Sequence, residues 1–196
     1  MKQYLAIVFE LISGIFIPLK EKRLVFKEIG LAVTIPKGLK ILNDKQIKQS
    51  AKKSTASLEN FFVKVATNNP ACIPLFFAKN AENSFMSGVM FLLNGKTEKE
   101  AQWDYDEYIE SFWKSIDKEH EIYSRVYAEK ISSKIKIGNV SFEKDEITYR
   151  IPERKISSFY SYHGFYNDHQ ITFTAVFRNQ EFGDRILKSI ESASFS

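Results

Sequence analysis

Residues 157–195 constrain the fold more than any other part of this chain. Ser158-Phe-Tyr-Ser-Tyr-His-Gly-Phe-Tyr166 and Gln170-Ile-Thr-Phe-Thr-Ala-Val-Phe177 both alternate with period two, and Asn167-Asp168 between them supplies a tight turn. The pattern predicts two long paired strands. With a two-residue loop, Tyr166 stands opposite His169, and Gly164/Ile171, Tyr162/Phe173 and Tyr160/Ala175 share one apolar face. The other face takes Phe165/Gln170, His163/Thr172, Ser161/Thr174 and Phe159/Val176, a mixture suited to a thin cover or to partial contact with water. Asn179 then caps a helix over residues 180–193, whose Phe182, Ile186, Leu187 and Ile190 fall on one side and need a sheet to lie on.

The earlier part of the chain supplies the rest of that sheet. Leu24-Val-Phe26 and Leu31-Ala-Val-Thr-Ile35 read as short strands, the second ended by Pro36-Lys-Gly38. Residues 39–42 lead into a helix. Asn43 and Gln46 form a capping box for it, and Ile47, Ala51, Leu58, Phe62 and Val65 recur at helical spacing to about residue 67. Lys45, Lys48, Lys52, Lys53 and Lys64 make this helix basic. Residues 71–79 and 85–93 are apolar runs joined by a polar link, which predicts a hairpin with Pro74 at an edge or bulge. A second helix over residues 104–120 carries an aromatic face and, near its start, Asp104, Asp106, Glu107 and Glu110, where the helix dipole favours acids. Gly138-Asn139 turns another hairpin that pairs Ile137/Val140, Ile135/Phe142 and Lys134/Glu143. Its apolar residues switch from even (Val140, Phe142) to odd (Ile147, Tyr149, Ile151), which predicts a bulge or break near Lys144-Asp145. No Pro/Gly/Ser-rich linker, internal repeat or low-complexity tract divides the chain. Every strand connection is compatible with antiparallel pairing, so the class is α+β, an antiparallel sheet flanked by helices in one domain over residues 24–196.

Residues 1–23 stay open. Lys2 is followed by an apolar run over residues 4–19, interrupted by Glu10 and closed by Lys20-Glu-Lys-Arg23. A membrane anchor would be short for the roughly 20 apolar residues a span needs and would hold a carboxylate. A signal peptide would lack a small-x-small cleavage site. The third reading is an element packed on the domain. The cell envelope and the cytoplasm are therefore equal alternatives. A net charge of +4 falls short of a nucleic-acid footprint, and a single cysteine excludes an internal disulfide or a multi-cysteine metal site.

Two stretches resemble a known family: Phe26-Lys-Glu-Ile-Gly-Leu-Ala-Val-Thr-Ile-Pro-Lys-Gly-Leu-Lys-Ile41, and the terminal hairpin with Ile186-Leu-Lys-Ser-Ile190 leading to Ser194-Phe195. They look like PsbP-like domains, a family that includes an extrinsic photosystem II subunit, a Ran-binding import factor and bacterial envelope proteins of unassigned role. Leu39 stands where many members have Trp. The resemblance implies an α/β/α sandwich around an antiparallel sheet and a non-catalytic binding or scaffold role. It carries over no individual site residue.

The groups able to do chemistry are few. Cys72, in Pro70-Ala-Cys-Ile-Pro74, would be a nucleophile only beside a base, and its neighbours are apolar. His163 and His169 fall on opposite faces of their hairpin and should not share a metal; His163 reads as a surface or hydrogen-bonded residue. Asp106 and Glu110, one turn apart, would suit a divalent cation or a carboxylate pair, but a solvated acidic helix face explains them without function and is the reading preferred. P-loop, Gly-x-Gly-x-x-Gly, Gly-x-Ser-x-Gly and His-Glu-x-x-His patterns are absent. The expectation is a monomeric domain that works by binding a protein partner, without cofactor, metal or nucleic acid, with membrane contact open through residues 4–19. The alternative is a small hydrolase or metal enzyme using His163, Cys72 or the Asp106/Glu110 pair. Partner-surface candidates are Trp103, Tyr105, Asp106 and Glu110 on the acidic helix and Lys48 and Lys52 on the basic one.

Overall fold

In the computed structural model, residues 20–52, 72–82, 84–101, 127–151 and 154–196 are described. The chain runs through β1 (Lys22–Phe26), a 3₁₀ turn (Lys27–Ile29), β2 (Leu31–Ile35), β3 (Lys40–Ile41), α1 (Asp44–Ala51), β4 (Cys72–Lys79) and β5 (Phe85–Leu92). It continues through β6 (Tyr127–Ile137), β7 (Val140–Ile151), β8 (Arg154–Tyr166), β9 (His169–Phe177), α2 (Gln180–Glu191) and β10 (Ser194–Phe195). Among the described residues, seven strands form one antiparallel sheet in the order β3-β4-β5-β9-β8-β7-β6, and β1-β2-β10 form a smaller one. The class is α+β with antiparallel sheets, as the strand patterns imply.

The β8–β9 hairpin has the register its alternation predicts, from Tyr166↔His169 to Ser158↔Phe177. Asn167 and Asp168 take φ of 47° and 59°, the type I′ geometry that matches the twist of the flanking strands. Asn179 caps α2 through Oδ1, which accepts from Phe182 N at 2.9 Å. Helix α2 stops at Glu191, two residues earlier than its periodicity suggests, and Ser194-Phe195 become a strand on β2.

Both faces of the large sheet carry a core. The first is packed by α2 and the small sheet and centres on Tyr162, Phe173, Phe142, Phe177, Leu31, Ile35, Ile186 and Ile190. The second holds Leu42, Cys72, Phe77, Phe85, Ile147, Tyr149, Phe159 and Val176, with Ile47 of α1 against it. This double burial explains the parity change in β7. The β6–β7 ladder runs without interruption from Tyr127↔Arg150 to Ile137↔Val140, so there is no bulge or break at Lys144-Asp145; the one irregularity of β7 lies between Tyr149 and Arg150, against β8. Val140 and Phe142 load the first core, where Phe142 meets Phe195 with ring centroids 6.0 Å apart, and Ile147 and Tyr149 load the second. The strand stays regular while the buried side changes.

Residues 39–42 are the other correction. Lys40 and Ile41 pair with Lys79 and Ala78 as a short edge strand before the helix begins. The capping box is present: Asn43 N donates to Gln46 Oε1 at 3.1 Å and Gln46 N to Asn43 Oδ1 at 3.0 Å. The predicted hairpin of β4 and β5 forms, with its register shift between Pro74 and Phe76 at the bulge that Pro74 implied. The expected helix over residues 104–120, and the basic helix beyond residue 52, lie outside the described residues.

Candidate functional site

On the second face, the cross-strand pairings set polar side chains in rows. One row runs Ser132, Asp145, Ser161, Thr174, Ser87, and the next runs Lys134, Glu143, His163, Thr172. Ser161, His163, Gln170, Thr172 and Thr174 are all buried, so this face is covered where its composition allowed partial contact with water. His163 is 2% exposed, meets Phe165 edge-on at 4.9 Å and approaches Gln170, Nε2 to Nε2, at 3.4 Å. The hydrogen-bonded alternative for His163 is the right one, and the surface alternative is wrong. Among the described residues, Thr172 Oγ1 and Ser158 Oγ are buried without a hydrogen-bond partner.

Burial lowers the His163 pKa to about 4, with the carboxylate of Asp145 partly opposing the shift. The imidazole is therefore neutral in the folded protein at pH 6, whereas in the unfolded chain it titrates near 6.5. Between those values the unfolded state binds more protons, so stability rises with pH through this window and is lost as the pH falls from about 6.5 towards 4. A shift of this size corresponds to roughly 3 kcal/mol. Thermal melts across that window should show the slope, and His163→Gln should flatten it; a variant with the parent's pH profile would contradict the assignment.

Cys72 lies on the same face but on β4, three strand spacings from β8, or about 14 Å. Burial pushes its thiol up to about 12, which keeps it protonated and unreactive. The two described members of the alternative catalytic set are thus not brought together. Asp106 and Glu110, with Trp103 and Tyr105, lie outside the described residues. Lys48 on α1 and Lys52 just beyond its end are exposed. No cluster of metal-ligating side chains occurs among the described residues. Among those residues no helix is long and apolar enough to cross a membrane, and residues 4–19 are outside them.

The first face holds a constellation that the sequence reading missed. Lys144 of β7 reaches Glu191 of α2 at 2.7 Å, and Tyr162 Oη donates to the same carboxylate oxygen at 2.8 Å. The Lys144 ammonium lies 5.4 Å and 5.3 Å from the ring centroids of Tyr160 and Tyr162, within cation–π range. Burial, and then the hydrogen bond to Glu191, raise the Tyr162 pKa; burial and Glu146 do the same for Tyr160. Both phenols stay protonated and act as donors. Around this cluster an open groove is lined by Lys144, Asp184, Leu187, Lys188, Glu191 and Ser192. The signal for it was the β7–β8 register, which sets Lys144 directly opposite Tyr162; no local motif marks a contact 47 residues apart.

No protein-family model matches the chain, and no curated protein matches its sequence. Among solved structures it is similar to cyanobacterial PsbP (CyanoP) from Synechocystis sp. PCC 6803, with a TM-score of 0.54 and 12% identity. The match covers 95% of this chain and 98% of that one. The aromatic hairpin, the closing helix and the antiparallel order of the sheet therefore belong to a PsbP-like fold.

Proposed function

We propose that this chain is a non-catalytic binding domain that works by holding a protein partner on its surface. The observation that supports the reading is the state of the groups a reaction would need. The Cys72 thiol is buried and protonated, the His163 imidazole is buried and neutral, and about 14 Å of sheet separates them, whereas proton transfer needs hydrogen-bond reach. The tyrosines of the first face are engaged in holding Lys144 and Glu191 in place. What the described residues offer to solvent is charge, a groove beside α2 and the outer edge of the sheet. The likeness to PsbP supports the fold on which such a role would rest; function has to come from the surface itself.

Affinity capture with the full chain tests this. A discrete partner at near-equal stoichiometry is expected, absent from a control protein of similar charge. No enrichment over that control, or a turnover abolished by His163→Gln, would contradict the proposal.

A further inference from the structure

We infer that the outer edge of β6 is a docking strand for an extended acidic segment of a protein partner, which would add an eighth strand to the large sheet. The inference rests on the binding-domain reading and deepens it.

Strand β6 is 11 residues long and, among the described residues, ends the strand order of the large sheet. The two-residue turn that joins it to β7 has Gly138 at φ 59° as its first central residue, so Ile137 and Val140 form the hydrogen-bonded closing pair of the hairpin. Hydrogen-bonded and non-bonded pairs alternate along an antiparallel ladder. In this uninterrupted register the N–H and C=O groups of Ile137, Ile135, Ser133 and Ile131 turn to β7. Those of Lys136, Lys134, Ser132 and Lys130 turn outward. These outward groups are a template for backbone pairing.

Side chains give the template its selectivity. On the second face the outermost row is Lys130, Ser132, Lys134 and Lys136. Lys130 is held by Asp145 at 3.2 Å, Lys134 reaches towards Glu143 at 3.9 Å with its side chain 79% exposed, and Lys136 stands opposite Ser141. An added strand would set its own side chains opposite these lysines on the same face, where carboxylates are favoured. On the first face the row is Glu129, Ile131, Ser133 and Ile135, and Ile131 is 63% exposed. The matching strand therefore alternates acidic and apolar residues. A second copy of β6 fits poorly: in the register that overlaps the whole strands, Tyr127 opposite Ile137, Lys130 meets Lys134 twice. Like charges directly opposite are destabilising.

The probe is a fluorescein-labelled peptide alternating glutamate and valine, with a lysine–valine peptide as its counterpart, titrated against the full chain by anisotropy. The parent chain should bind the acidic peptide, more weakly as salt rises, and ignore the basic one. Lys134→Pro removes an outward N–H that β7 does not use, so the variant should melt like the parent and bind the peptide at least about tenfold more weakly. Lys134→Glu, which leaves the backbone edge intact, should also weaken the acidic peptide and begin to accept the basic one. Failure of the parent to bind the acidic peptide, or folded Lys134→Pro binding it like the parent, overturns the inference. So does a parent dimer that Lys134→Pro dissociates, since the edge would then be a self-association surface. Capture of the same partner by parent and Lys134→Pro would overturn the edge while leaving the binding-domain reading intact.

Discussion

Replacing Gly183 by alanine should destabilise the protein by about 3 kcal/mol and lower Tm by roughly 6–12 °C. Helix propensity alone gives the opposite sign, because alanine is favoured over glycine inside a helix by about 1 kcal/mol. The contact decides. A Cβ on Gly183 would lie 2.1 Å from Phe177 Cε2 and 2.2 Å from Cδ2, far inside any real carbon contact. Phe177 is fully buried and stacks on Tyr160 at 5.5 Å and 13°, so it cannot turn aside without moving the next ring. Helix α2 sits on β9 at a spacing only glycine permits. Pairing Gly183→Ala with Phe177→Leu should recover part of the loss, and a thermal melt of the double variant measures that coupling. A single variant as stable as the parent would show that α2 is free to lift from the sheet.

Phe173→Ala should cost about 4 kcal/mol, with Tm lower by roughly 8–16 °C. Phe173 is fully buried at the middle of β9, with ring centroids 6.5 Å from Phe76 on β4 and 5.9 Å from Phe142 on β7. Its removal opens a cavity bordered by regular strands on both sides, which cannot collapse to fill it. Ile131→Ala, at an exposed position of β6, should change stability by less than about 0.5 kcal/mol. Denaturant melts of the two variants check the contrast, and similar losses in both would place the core elsewhere.

The strands of the last third were legible because their side chains obey one rule: alternation fixed by a two-residue turn sets every pair from Tyr166↔His169 onwards. The same rule misled at Lys144-Asp145. Hydrophobic parity reports which face is covered, and a sheet buried on both faces can change parity without changing its backbone. Residues 39–42 were misread because Lys40 and Ile41 are too short a strand to show a period, and their state is set by β4 rather than by their own propensity. Burial of His163 was not legible, since it depends on what covers the second face. The groove beside α2 depends on Glu191 returning to Lys144 after two intervening strands, information that only the folded chain contains.

The proposed binding role turns on one point: Cys72 and His163 are held inside the sheet in unreactive form. Following the His163 imidazole by NMR as the pH is lowered measures this most directly. The expected result is a neutral ring through the neutral range and a titration near pH 4, accompanied by loss of stability. A midpoint at 6.5 or above in the folded protein would contradict it, because His163 would then be a solvated base on an open face.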